Sequence, residues 1–249
     1  MSWHLAAFTG SIGATARTQV NAANDDILRI DQTNGFMMPF DTMLLFAYAQ
    51  SALLLRSQLE SPKILQTNPL FIRPVNTGAT PVLNPSVAWW GPNYLFLRGQ
   101  EDILAYVSNS AAGPSQSTIL IAVSPILDPM PAGQIYTVYA TSTTAAVANT
   151  WTSLTYTMQT GLPAGTYAMV GSNVSSTTAI GHRWIFSNQI WRPGFVSNTL
   201  ETDKPSWLQV QRVLGPMGQF YQYDLPRLQV FAGAADAAHQ IYMDLIKVA

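Results

Sequence analysis

Hydrophobic positions in this chain come in short bursts, each closed off by Gly, Pro, Asn or Ser. Runs rich in β-branched or aromatic residues at 26–30, 70–75, 94–97, 103–107 and 118–123 predict strands. The second half continues with 135–140, 151–158, 166–170, 183–186, 220–223, 228–231 and 241–247. In Leu154-Thr155-Tyr156-Thr157-Met158 apolar and polar residues alternate, the pattern of a half-buried antiparallel strand. Ala234 to His239 predicts a short helical turn. Strands do not alternate with helices, which argues against a parallel sheet.

One segment breaks the pattern. Thr42 to Glu60 has neither Gly nor Pro and is rich in Leu, Ala, Met and Gln, good helix formers. Asp41 is placed to cap the first turn, Phe40 and Leu45 have the spacing of a hydrophobic staple, and Ser61-Pro62 is a stop. Leu44, Tyr48, Ala52, Leu55 and Leu59 share one helical face, and Phe46, Ala49 and Leu53 make the other side apolar too. The segment predicts a long helix over about 41–60, covered on both sides. A charge at Leu53 or Leu55 is then expected to cripple folding or assembly.

Pro125, Pro129 and Pro131, between Ser124 and Gly133, mark a stiff extended connector near mid-chain. They divide the chain into 1–126 and 127–249. Two eight-stranded sandwiches need 16 strands of ~6 residues and 15 loops of ~5, roughly 170 residues, which leaves room for the helix and longer loops. Phe71-Ile72-Arg73-Pro74 and Ile190-Trp191-Arg192-Pro193 form a faint echo between the halves.

Composition sharpens this picture. Only 10% of the 249 residues are charged, against roughly 25% in average soluble proteins, and the net charge is −1. Ser, Thr, Asn and Gln supply the polar surface instead. Such a surface costs little to desolvate, so it suits burial against copies of the same chain. The absence of a global field, with Arg17 the one cation before Asn24, argues against direct packaging of nucleic acid. No cysteine is present, which excludes disulfides, thiolate nucleophiles and Cys-based metal sites. The N-terminus lacks the basic and apolar regions of a signal peptide. The most apolar run, Met43 to Leu55, is shorter than the ~20 residues needed to span a bilayer, so a soluble chain is expected.

Candidate chemistry is sparse. His4, His182 and His239 are far apart in sequence and form no HExxH pair, and no GxSxG, Walker or GxGxxG motif occurs. A hydrolase would need His182 or His239 to converge with an acid such as Asp224 or Asp236. Asn24, Asp25, Asp26 and Asp31 gather oxygens near Asn34-Gly35 without the spacing of an EF-hand, and a turn followed by a strand is the expected structure. Asn173-Val174-Ser175 matches a glycosylation sequon, which has meaning only on a secretory route. Trp89, Trp90, Trp151, Trp184, Trp191 and Trp207 offer two readings. Exposed and coplanar, Trp89, Trp90 and Trp191 would stack on sugars; buried, the tryptophans are core or interface residues. The second is favoured. No catalytic, cofactor-binding or metal residue is assigned.

Three stretches carry a resemblance. They are Tyr48–Pro62 followed by Phe71–Asn76, then Leu162-Pro163-Ala164-Gly165-Thr166-Tyr167-Ala168-Met169-Val170-Gly171, and Arg183-Trp184-Ile185-Phe186 leading to Trp191-Arg192-Pro193-Gly194. Together they resemble the small double jelly-roll major capsid proteins of icosahedral bacterial viruses. The resemblance implies an all-β chain of two antiparallel eight-stranded jelly rolls side by side. It implies a homotrimer of pseudo-hexagonal outline, tiling a shell with penton and minor capsid proteins, in many relatives over an internal membrane. It also implies a virion protein assembled in the host cytoplasm, with no enzyme activity and no cofactor. A carbohydrate-binding β-sandwich and a single jelly-roll capsid protein are the alternatives.

Overall fold

The computed structural model describes residues 3–13, 15–61, 69–75, 87–90, 95–197 and 213–249. Its elements are strands; helical backbone occurs among the described residues at Val213 and Leu214. No helix among them is long and apolar enough to cross a membrane. Two compact units form. The N-terminal unit contains Ala6–Ala79 and Pro85–Pro125, and the C-terminal unit contains Ile126–Ala249 with Met1–Leu5.

The N-terminal unit is built from β1 (His4–Ile12, of which His4 and Leu5 belong to the C-terminal unit), β2 (Thr18–Ala22), β3 (Arg29–Ile30), β4 (Phe36–Met37), β5 (Thr42–Gln50) and β6 (Leu54–Glu60). It continues with β7 (Leu70–Ile72), β8 (Pro74–Val75), β9 (Ala88–Trp89), β10 (Leu95–Leu97), β11 (Asp102–Asn109) and β12 (Ser115–Ser124). Its pairings are nested. The first strand joins the last, β1 with β12; β2 joins β11; β5 joins β10; and β6 joins β7. Two further ladders, β12 with β5 and β11 with β6, complete the four-strand orders β1-β12-β5-β10 and β2-β11-β6-β7. Contact between β1 and β2 links these two groups. The β3–β4 hairpin attaches to β11, and β8 and β9 add to β5, β8 in parallel.

The C-terminal unit repeats the scheme with β13 (Ile135–Ser142), β14 (Trp151–Leu154), β15 (Thr157–Met158), β16 (Thr166–Ser175) and β17 (Ala179–Ile185). They are followed by β18 (Gly194–Val196), β19 (Gly218–Tyr221), β20 (Arg227–Ala232) and β21 (His239–Lys247). Here β13 pairs β21, β14 pairs β20, β16 pairs β19, and β17 pairs β18. The ladders β21–β16 and β20–β17 close two antiparallel sheets, and β15 extends the first beyond β13. Buried Val138, Ile241, Met243 and Leu245 on one sheet, and Trp184, Leu228, Val230 and Phe195 on the other, make the core. This is the composition of a face-to-face β-sandwich. Register shifts in β16 and β17 beside Gly171 and Gly181 are bulges, which bend long strands.

The C-terminal unit also takes in the start of the chain. Leu5 N–H donates to the Arg192 carbonyl (3.0 Å), Trp3 Nε1 donates to the Gly194 carbonyl (3.1 Å), and the Trp3 ring lies against Phe195. Gly194 is required here for space: a Cβ would overlap the His182 carbonyl oxygen and stand 2.7 Å from the Arg183 Cα.

The expected helix over 41–60 is not formed. Its residues make β5 and β6, split by a turn at Ser51–Leu53, and the two strands run in different four-strand groups. β5 is almost wholly buried because β12 pairs one edge while β10, β9 and β8 share the other. A strand covered on both faces reads as an unbroken apolar run, which periodicity does not separate from a buried helix. Asp41 caps no helix; its carboxylate accepts from the Gly99 N–H at 2.8 Å. Leu55 is 62% exposed, so the expectation that a charge there would cripple the fold is withdrawn. The helical turn expected at 234–239 is also absent: Asp236 forms an isolated bridge with Ala146, and β21 begins at His239. The Arg-Pro echo is out of register, lying at the end of β7 and start of β8 in one unit but in the loop before β18 in the other.

The strand assignment has a direct test. Phe46→Ala is expected to cost about 3–5 kcal/mol in a denaturant melt, and Leu55→Ala less than about 0.5 kcal/mol. Equal, large losses at both positions would favour a doubly buried helix.

Candidate functional site

Three groups of side chains are candidates for function: a buried histidine cluster, an aspartate–histidine pair and an exposed apolar tip. All three belong to the C-terminal unit.

His182, on β17, is wholly buried. Its Nε2 is 2.8 Å from the Ser172 hydroxyl on β16, and its Nδ1 is 3.1 Å from the Ser197 hydroxyl after β18. Ser172 also accepts from Trp184 Nε1 at 2.9 Å. A serine within hydrogen-bond reach of a histidine is the core of a nucleophilic pair. Here, however, Ser172 and His182 sit inside the sandwich, and the neighbours on the ring nitrogens are hydroxyls, not a carboxylate. Burial drives the His182 pKa down to about 3, only partly opposed by its bond with Ser172, so the ring is neutral at pH 7. The cluster satisfies polar atoms in the core.

His239 and Asp236 do come close. Asp236 accepts from the Ser176 hydroxyl (2.7 Å), the Thr177 N–H (3.1 Å) and hydroxyl (2.9 Å), and the Ala238 N–H (3.1 Å). Burial raises its pKa, but these bonds and nearby His239 outweigh that and hold it at about 2. With four donors on its oxygens, Asp236 is the anchor of a loop. His239 is 2% exposed, and its pKa is lowered by burial against the opposing pull of Asp236 and Thr144. Asp224, the other acid considered, accepts from the Ser187 hydroxyl and is not joined to a histidine by that contact. The acidic stretch before Asn34-Gly35 folds as turns. Asp25 accepts from the Ile27 and Leu28 N–H groups, and Asp31 accepts from Thr33 and the Gly35 N–H while Asn34 takes a positive φ. Among the described residues no three His, Asp or Glu side chains are grouped to hold a metal ion.

Trp191, proposed for a sugar platform, is 8% exposed and packs against His4. Trp89 and Trp90 are half-buried, with Trp89 opposite Phe46 in the β5–β9 ladder. Trp3 and Trp184 lie in the core, and Trp207 lies outside the described residues. Trp151 meets Phe231 edge to face and carries the buried Arg183 guanidinium over its ring at 4.1 Å. Tryptophan thus serves packing.

Among the described residues the most exposed aromatic is a tyrosine in the C-terminal unit, at a tip that the sequence does not single out. Tyr223 is 80% exposed and Tyr221 50%, their ring centroids 6.0 Å apart. Ile190, on the β17–β18 loop, is 75% exposed, and Leu225 also faces solvent. The tip is held firmly. Ser187 donates to Asp224, Gln222 N–H to Gly165 (3.1 Å), Gln222 Nε2 to Leu162 (2.8 Å), and the Tyr156 hydroxyl to Pro226 (2.6 Å). Nearby, Tyr136, Leu162, Pro163, Tyr167 and Lys247 line a cleft of about 440 Å³. Rigid, exposed aromatic and aliphatic side chains on loops are what binding surfaces present. The signal in the sequence was Tyr221-Gln222-Tyr223-Asp224-Leu225-Pro226, an apolar–polar alternation ending in a turn.

The histidine cluster makes a stability prediction. Ser172→Ala removes the partner of both His182 Nε2 and Trp184 Nε1, and is expected to destabilise the fold by about 2–4 kcal/mol, read from denaturant melts. A loss below about 0.5 kcal/mol would mean the network is dispensable.

No protein-family model matches this chain, and no curated protein does. A solved chain from the atomic structure of Sulfolobus Turreted Icosahedral Virus is similar over 100% of this chain and 92% of its own, at 11% identity and a TM-score of 0.23. An overlay that loose carries no argument.

Proposed function

We propose that this protein is a structural virion protein: a major capsid subunit of two jelly rolls that assembles as a homotrimer and tiles an icosahedral shell. The observation that carries the reading is the nested pairing in both units: with the short β3, β4, β8, β9 and β15 set aside, eight strands in each pair first with eighth, second with seventh, third with sixth and fourth with fifth. That is the order of a chain folded into one long hairpin and rolled up, a jelly roll. The architecture recurs in viral capsid and lectin domains. Its repetition in tandem favours a double roll over a single roll with large loops.

Surface chemistry supports self-assembly. With 10% charged residues, the chain relies on neutral polar groups, which cost less to desolvate than charges. A trimer with cyclic symmetry is held by heterologous contacts, one patch against a different patch, and trimers meet again across the lattice. Many modest contacts then sum to a stable shell. The partners proposed are copies of this chain, penton and minor capsid proteins at special lattice positions, and an internal membrane; bacterial hosts follow from the sequence resemblance. No enzymatic role is proposed, since His182 and its serine partners Ser172 and Ser197 are sealed in the core. A lectin is the second reading, favoured by the exposed Tyr221–Tyr223 pair rather than by any tryptophan.

Light scattering at low and high salt tests the reading. A salt-resistant trimer or megadalton particles is the expected result, because charge contributes little to the contacts. Ile190→Asp with Tyr223→Asp is expected to reduce assembly at least tenfold while leaving the melting temperature within about 2 °C. A stable monomer of wild-type chain at high concentration would contradict the capsid reading.

A further inference from the structure

The chain has no cysteine and three histidines, so the histidines are its side chains whose ordinary titration falls near neutrality. All three are buried, and all three lie in the C-terminal unit: His4, His182 and His239. The N-terminal unit, Ala6–Ala79 with Pro85–Pro125, has none. We propose that the C-terminal unit is an acid-triggered half of the molecule, which must open for its histidines to take up protons while the N-terminal unit stays closed.

Geometry gives the reason at each site. Around His182 stand Ser172 from β16, Ser197, Phe195 from β18 and Trp184, and no charged side chain is near enough to favour an imidazolium. Trp184 donates to Ser172, whose hydroxyl lies within reach of both His182 Nε2 and Met217 Sδ, and the neutral ring bridges Ser172 and Ser197 through its two nitrogens. A second ring proton would put a charge where hydroxyls and aromatic rings are its neighbours. His239 faces one charged group, Asp236, whose oxygens already take four hydrogen bonds, with Thr144 and Ser142 as its other neighbours. His4 accepts from the Arg192 N–H at Nδ1 (3.4 Å). Its ring meets that of Trp191 at a tilt, beside a segment carrying the Arg192 and Arg183 cations, the latter bonded to Leu5. Protonating Nδ1 would turn that acceptor into a donor facing a donor.

The sign follows from linkage. A histidine with an ordinary pKa of 6.5 when unfolded and about 3 when folded binds its proton in the open state first. Stability is therefore complete above pH 6.5 and is lost progressively as pH falls from 6.5 towards 3. At pH 5 the open form gains about 30-fold from His182 alone. Carboxylates of ordinary pKa remain ionised over most of that interval, so the N-terminal unit is spared. This inference is independent of the capsid reading and would hold for a lectin of the same fold.

Hydrogen exchange read by mass spectrometry on the full chain tests it, at pH 7.5 and 5.0, with rates corrected for intrinsic chemistry. Peptides covering β16, β17 and β21 are expected to lose at least 30-fold in protection, and those covering β5 and β12 less than threefold. His182→Gln, which keeps hydrogen bonding without titrating, should cut the pH effect on β16 and β17 by about 30-fold. Should that variant fail to fold, His239→Gln provides the same comparison at β21. Equal loss in both units, or none in either, in the wild-type chain would overturn the proposal.

Discussion

Each unit depends on joining the two ends of its own sequence. In the C-terminal unit the ladder of β13 with β21 pairs Ile135 with Ile246 and Ser142 with His239, so the first strand is secured only when the last has arrived. Everything between them nests inside that pairing. β21 then serves β16 on its other edge, and β20 does the same between β14 and β17. In the N-terminal unit β12 and β11 hold the matching central places. Closure of this kind is long-range in sequence, which makes folding slow but cooperative. It also places the most apolar segments, β5, β12, β16 and β21, at sheet centres, where both edges are paired. Short strands such as β18 and β19 remain at the edges, where a long apolar strand would invite aggregation.

A chain with so few charges must satisfy its buried polar atoms with neutral partners. The Ser172–His182–Ser197 cluster does this, as does the Tyr48 hydroxyl donating to Gln50 at 2.8 Å. Where a charge is buried, the support is dispersed: Arg183 lies over Trp151 and donates to the Leu5 carbonyl and to Gln229. That arrangement ties the first residues of the chain to the C-terminal unit. Many aromatic rings are likewise spent on the interior, while Tyr221 and Tyr223 face solvent as a pair.

Much of the fold was legible because its strands are short runs of β-branched and aromatic residues closed off by turn residues. The segments at 103–107, 118–123, 135–140 and 241–247 all lie within observed strands. What alternation did not disclose was burial on both faces. Thr42 to Glu60 reads as helix from composition, yet β5 is a fully covered central strand and β6 crosses to other partners. β1 was missed for a related reason, since His4-Leu5-Ala6-Ala7-Phe8 is buried throughout and alanine is a poor strand former. The candidate sites were less legible still. His182 and Ser172 lie ten positions apart on neighbouring strands, and only the fold brings them to 2.8 Å. Tryptophan drew attention as the larger ring, but a large ring is also the most valuable to bury.

The proposed capsid role requires a tandem pair of rolled sandwiches and surfaces that bind other copies of the chain. Electron cryomicroscopy of the purified protein, at a resolution that separates strands, tests this most directly. The predicted result is a trimer of pseudo-hexagonal outline in which each subunit contributes two sandwiches with the nested strand order, alone or tiled into closed shells. A monomer, or an assembly lacking threefold symmetry, would contradict it.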